Sequence, residues 1–149
     1  MLSDTEWRAA LKNMEGWAFG GEDTPELADE LAALVVRGRK TATTGLLREY
    51  EEDGEPLPRV GERRYIMDSR GRPVCVVELT EVRVMAFCEV DAGFARDEGE
   101  GDLSLESWRK AHSAFFSRYG GVTDETPVVC ERFRVLHVFG GPWAEKRES

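Results

Sequence analysis

Cysteine is scarce in this 149-residue chain, and what little there is excludes several classes of protein. The three residues, Cys75, Cys88 and Cys130, are odd in number and far apart. A disulfide framework needs even, closely patterned cysteines, so none is expected. Cys75 and Cys130 sit in apolar, strand-like runs, and the three read as buried thiols of a reducing, cytoplasmic compartment. Histidine is scarcer still, at two residues. No cysteine or histidine spacing matches a metal site, so neither a metal nor a cofactor is expected. Long apolar runs are also missing: nothing approaches the ~20 residues a membrane helix needs, so no membrane partner is expected. The opening residues Met1-Leu2-Ser3-Asp4-Thr5-Glu6 lack the basic head and apolar core of a secretory signal. There is no internal repeat and no low-complexity linker. What remains is a chain with 41% hydrophobic residues, enough for one folded domain with a real core.

Positive charge is in deficit: the net charge is −9. Non-specific grip on a phosphate chain rests on lysine and arginine, so long duplex DNA is not an expected partner. The deficit is uneven. From Arg37 to Arg72 nine bases face seven acids, leaving +2, and the remainder carries −11. A local cationic cleft on an acidic body suits a small anionic or nucleotide ligand. The plainer alternative is a solvated face of mixed charge.

The patterning is α+β. Ser3 or Asp4 caps a first helix with Trp7, Ala10, Leu11 and Met14 on one face. Thr24-Pro25 starts a second, running to Arg37, with Leu27, Leu31, Leu34 and Val35 as its apolar stripe. Leu46 to Glu52 reads as a short helix stopped by Gly54 and Pro56. Strands at Arg64–Met67 and Pro73–Val84 are joined by the turn Asp68-Ser69-Arg70-Gly71. A helical turn at Val90–Arg96, a helix from Leu105 to Tyr119 and a strand at Val128–Phe139 complete the list. Residues about 1–16 form an N-terminal helical extension, and about 140–149 a mobile tail, of a single 1–149 domain.

The chemistry concentrates at Gly38-Arg39-Lys40-Thr41-Ala42-Thr43-Thr44. Glycine suits the left-handed position just past a helix end. The residues after it bring an ammonium and three hydroxyls onto a loop or short strand, the groups that grip a phosphate, a carbonyl or a nucleobase edge. Cations also favour helix C-termini for their own sake, so ordinary capping is the competing account. Glu78 stands inside the apolar run Val74-Cys75-Val76-Val77-Glu78-Leu79, where a carboxylate is a poor strand former and needs a partner. A lysine from elsewhere in the chain is one such partner; a surface arginine is the other.

Seven segments in this order and spacing resemble the ASCH domain family: Trp17-Ala18-Phe19-Gly20, Leu27–Val35, Lys40–Thr44, Pro58–Gly61, Pro73–Val82, Phe94–Asp102 and Ser104–His112. The resemblance spans about Trp17 to Leu136. Its most specific part is Glu98-Gly99-Glu100-Gly101-Asp102 followed by Trp108-Arg109-x-x-His112. It implies a PUA-like fold, a small β-barrel with flanking helices, that recognises RNA, a nucleotide or a modified nucleoside. One branch of the family consists of small amidohydrolases acting on acylated cytidine through a lysine, a threonine and a glutamate. These match Lys40, Thr43 and Glu78, with Arg39, Thr41, Thr44 and Arg64 as surrounding ligand-binding side chains. Other members are linked to ribonuclease activity. The alternative is a non-catalytic RNA-binding or small-ligand-sensing module.

Three consequences are expected. Lys40, Thr43 and Glu78 converge on one pocket. A desolvated Lys40 has a lowered pKa and takes the Thr43 proton. Lys40→Ala removes function and leaves stability intact. Glu98, Glu100 and Asp102 offer oxygens to a divalent ion, but they also stand where a helix start wants negative charge, and loop architecture is the expected role. His112, four residues after Trp108, is expected to be an inward, hydrogen-bonded histidine.

Overall fold

Alternation along one long strand sets the layers of the molecule. A computed structural model describes residues 1–19 and 24–146. Its elements are α1 (Asp4–Ala10), β1 (Glu15–Trp17), α2 (Pro25–Val36), β2 (Ala42–Leu46), α3 (Leu47–Glu52), β3 (Arg63–Met67), β4 (Pro73–Ala86), α4 (Ala92–Glu98), α5 (Leu105–Phe116) and β5 (Pro127–Val138). The five strands form one sheet in the order β1-β3-β4-β5-β2, with β1 parallel to β3 and every other pair antiparallel.

Successive side chains of a strand point to opposite faces. Cys75, Val77 and Leu79 of β4 therefore pack under α2, against Leu31, Ala32 and Val35. Val76 points the other way, onto Trp7 of α1 and Phe139. A second core lies towards the far ends of β4 and β5, where Ala42, Leu46, Val128 and Cys130 meet Phe94 of α4 and Trp108 and Phe116 of α5. Register shifts in the β4–β5 ladder, between Val76 and Val77 and between Leu79 and Glu81, mark bulges. Bulges bend a strand and sharpen its twist.

The curl stops short of closure. The sheet is a half-barrel rather than the closed barrel expected, and β1 and β2 are its two edges. The opening between those edges is where the cleft lies, bordered by Glu15 and Trp17 on one side and Thr43 to Gly45 on the other.

Residues near both ends of the described chain are tied down. Asp4 accepts from His137 at 2.8 Å and Arg8 donates to the Gly140 carbonyl at 2.9 Å. The expected mobile tail is packed through Trp143, whose indole is buried in the core under α2 and donates to Asp68 at 3.0 Å. The physical reason is that tryptophan brings a large apolar body and an N–H that needs an acceptor. Residues 147–149 of that tail lie outside the described residues. No helix among the described residues is long and apolar enough to cross a membrane.

Candidate functional site

α2 ends on Gly38 at φ +77°, and Arg39 and Lys40 both donate backbone N–H to the Leu34 carbonyl, at 2.9 and 3.1 Å. This turn drives Lys40 inward instead of out to water. Its side chain is 1% exposed. The ammonium donates to Glu98 Oε1 at 2.8 Å, Glu100 Oε2 at 2.9 Å and the Ala42 carbonyl at 2.8 Å. Burial alone would lower the Lys40 pKa, but the carboxylates of Glu98 and Glu100 outweigh it and the pKa is raised. The expected deprotonated base is thus corrected to a lysine whose charged form is favoured.

Glu98 is the last residue of α4 and is itself 1% exposed. Its second oxygen accepts from the Thr44 hydroxyl at 2.6 Å, Trp108 Nε1 at 2.8 Å and His112 Nε2 at 3.1 Å. The other His112 nitrogen faces the Trp108 carbonyl at 2.9 Å. Both partners of the ring are acceptors, an arrangement that favours the doubly protonated ring. Burial opposes this, yet the Glu98 carboxylate raises the His112 pKa. The same partners, Lys40 first, hold Glu98 well below the usual carboxylate range despite its burial. Close approach makes the cluster possible: Gly99, at φ +73°, lies where an added Cβ would stand 2.3 Å from the Arg39 carbonyl oxygen.

Ligand atoms of Glu98, Glu100 and His112 lie within 4.8 Å of one another, a spacing that suits a metal. The Lys40 ammonium, however, already bonds both carboxylates. Asp102 plays a different part: it accepts from the backbone and hydroxyl of Ser104, the N-cap of α5, at 2.9 and 2.6 Å.

A cleft of about 850 Å³ opens beside this cluster. Lys40, Thr43, Thr44 and Arg64 line it, as do Glu98, Glu100 and His112. The sequence-derived residues Arg39, Thr41 and Glu78 do not. Arg39 is exposed beyond the end of α2, and the Thr41 backbone is tied to the Asp97 carbonyl at 2.7 Å. Glu78 is a correction with a clear cause. It pairs in register with Arg63 and Arg134, so the three share a face of the sheet. Arg64 and Val77, one step along, share the opposite face, which is the cleft side. The partner of Glu78 is Arg134, whose Nε donates to it at 3.0 Å and holds it below the usual range. The carboxylate that meets Lys40 is Glu98.

The charge of the cleft also differs from expectation. Glu15, Glu49, Asp53, Glu55, Glu62, Glu98, Glu100 and Glu131 line it against two strong cations, Lys40 and Arg64. Three other arginines of the basic segment turn elsewhere: Arg48 to the carbonyls of Tyr119 and Gly121, Arg63 towards Glu78, Arg72 to Asp68. The rest of the lining is rich in aromatic side chains, with Trp17, Phe19, Tyr50, Phe115, Phe116 and Tyr119. The Lys40 ammonium lies 5.3 Å from the Phe19 ring centre and the Arg64 guanidinium 4.9 Å from that of Trp17.

Sequence reasoning missed Glu131, Tyr50 and the cleft-facing role of Trp17. Glu131 carried a visible signal, a carboxylate directly after the apolar run Val128-Val129-Cys130. It is 1% exposed on β5, directly across from Thr43 of β2. Burial pushes its carboxyl up to about 7, with Glu62 and Glu15 adding to the effect and Arg64 opposing it. Burial likewise pushes the Tyr50 phenol up to about 12.

The family model of the ASCH domain matches residues 15–137. The solved ASCH domain from Lactobacillus crispatus JV V101 is 34% identical, with a TM-score of 0.75 over 82% of this chain and 79% of that one. Protein EF3133 from Enterococcus faecalis V583 is 29% identical, with a TM-score of 0.78 over 98% of this chain and 93% of that one. No curated protein matches the chain. With most of its length matched by the family model and by a relative of this identity, the chain belongs to the ASCH domain family.

Proposed function

We propose that the cleft binds an uncharged modified nucleoside and hydrolyses an acyl-amide on it, with Lys40, Thr43 and Glu98 as the site. The observation that carries this reading is the Lys40 ammonium, fixed by Glu98 and Glu100 at the wall of an acid-rich, aromatic cleft. Aromatic side chains stack on a base, and ring faces are what a nucleoside offers. Carboxylates repel a phosphate chain, so RNA and nucleotides fit this lining less well than a nucleoside does. With all three N–H groups already bonded, the buried ammonium acts on negative charge developing at an acyl oxygen through its field and not as a hydrogen-bond donor, and it has no lone pair with which to remove a proton. Thr43 supplies a hydroxyl at the same wall. In the hydrolysis, water's hydroxide ends on the acyl carbon and its proton on the departing amine.

The test is incubation of the protein with N4-acetylcytidine, with release of cytidine followed chromatographically. Turnover by wild type that is lost in a folded Thr43→Val supports the reading. Absence of both binding and turnover, or equal turnover by Thr43→Val, overturns it. Binding at 50 mM salt that persists at 500 mM separates a nucleoside from an RNA chain, whose affinity falls steeply with salt.

A further inference from the structure

Two buried polar atoms in the cleft have no hydrogen-bond partner among the described residues: Arg64 Nε and Glu131 Oε1. Their side chains are 7% and 2% exposed. Arg64 Nη1 and Glu131 Oε1 stand 3.9 Å apart, too far for a hydrogen bond. Leaving buried donors and acceptors unpaired is costly, and native proteins rarely do so without cause. The Arg64 Nε–H and a Glu131 lone pair are both unused, on side chains that approach to 3.9 Å through Nη1, so a donor and an acceptor stand on neighbouring groups. Trp17 lies against the guanidinium face. Register places Arg64 on β3 and Glu131 on β5, and both side chains line the cleft near its opening between β1 and β2. A free anion is disfavoured there, because Glu62 and Glu15 also face Arg64, at 3.2 and 4.0 Å. A metal ion is disfavoured by the guanidinium itself.

We propose that Arg64 and Glu131 form a subsite that reads the edge of a flat heterocycle carrying an N–H donor beside a ring acceptor. Glu131 accepts the N–H of an exocyclic amine, and Arg64 donates to the neighbouring ring nitrogen or oxygen. An amino-pyrimidine edge has this order; an edge with a carbonyl in place of the amine turns a lone pair towards Glu131 and is rejected. The subsite rests on the reading of the cleft as a nucleoside site.

The experiment titrates wild type and Glu131→Gln with three nucleosides by calorimetry: cytidine, uridine and N4,N4-dimethylcytidine. The last keeps the ring but has no exocyclic N–H, so it tests the subsite on unaltered protein. Wild type is expected to bind cytidine about 10- to 100-fold more tightly than either of the others, the usual worth of a hydrogen bond to a charged group. Glu131→Gln, nearly isosteric, offers a carboxamide N–H and is expected to shift preference towards uridine.

The charged and titratable groups facing Glu131 are Arg64 from β3, Glu62 just before it, Glu15 from β1 and Tyr50 from α3. With the carboxyl near 7, cytidine affinity is expected to rise about tenfold from pH 6 to pH 8 as the competent, ionised fraction grows. The rise is expected to vanish in Glu131→Gln. Equal affinity for cytidine and dimethylcytidine, or unchanged discrimination in Glu131→Gln, overturns the subsite while sparing the cleft. Failure of wild type to bind any of the three overturns the nucleoside reading and the subsite with it.

Discussion

At the scale of single residues the site is a set of buried charges with unequal satisfaction. Lys40 and Glu98 are fully engaged: the ammonium has three strong acceptors and the carboxylate four donors. Removing one partner of such a pair leaves a buried charge uncompensated. Lys40→Ala should therefore lower stability by about 3 kcal/mol in urea denaturation, contrary to the expectation of an unchanged melting temperature. Adding Glu98→Gln should recover part of the loss, and no recovery would show that Lys40 acts through packing alone. Glu131 is the opposite case. Its folded pKa of about 7 lies above the unfolded value of about 4.3, so the native state holds the extra proton between them. Stability then falls as pH rises through that window, and the penalty is complete above pH ~7. Glu131→Gln should stabilise the fold at pH 8 by up to roughly 3 kcal/mol and make little difference near pH 4. Equal effects at both values would sink this account. Lys40 was legible in the sequence because a helix stop and a cation adjoin there. Its true partner was not, because Glu78 and Glu98 are both carboxylates near apolar segments and only the strand register tells which face Glu78 takes.

At the scale of elements, the site exists because two helix ends meet. The stop of α2 at Gly38 and the stop of α4 at Gly99 bring Lys40 and Glu98 together. Both glycines have positive φ, near +77° and +73°, but only Gly99 faces another backbone. Gly38→Ala should cost about 1–2 kcal/mol, the price of a left-handed alanine. Gly99→Ala meets the same strain and a carbonyl oxygen at 2.3 Å besides, so it should cost clearly more and should also weaken ligand binding. Equal denaturation midpoints for the two would show that the ends of α2 and α4 separate easily. With β2 open between a loop and a short strand, most helices and the three strands β3, β4 and β5 were readable from apolar spacing and turn residues, to within a few positions. β1 was not: three residues, Glu15-Gly16-Trp17, carry too little alternation to announce a strand. The open sheet was equally hidden, because whether edge strands close depends on curl and not on any local pattern.

At the scale of the whole molecule, the chain ends act as clamps on one end of the sheet. The residues after Phe139 place Trp143 in the core under α2. Truncation after Phe139 should therefore destabilise by roughly 3–5 kcal/mol, as for removal of a buried tryptophan. An unchanged melting curve would restore the idea of a mobile tail. The two interior thiols offer a different kind of reading. Cys75 belongs to the core under α2 and Cys130 to the core under α4 and α5, both fully enclosed and both pushed up to about 12 by burial. Cys88 is exposed. An alkylating reagent reacts with thiolate, so it should mark Cys88 at once and the other two only when their surroundings part. Each buried thiol is in effect a clock fixed to its own half of the protein, and mass spectrometry can read the two separately. Matching rates would mean that the halves come apart only together. A faster Cys130 would mean that the wall carrying Glu98, Trp108 and His112 breathes by itself, giving a ligand a way in that the closed structure does not display.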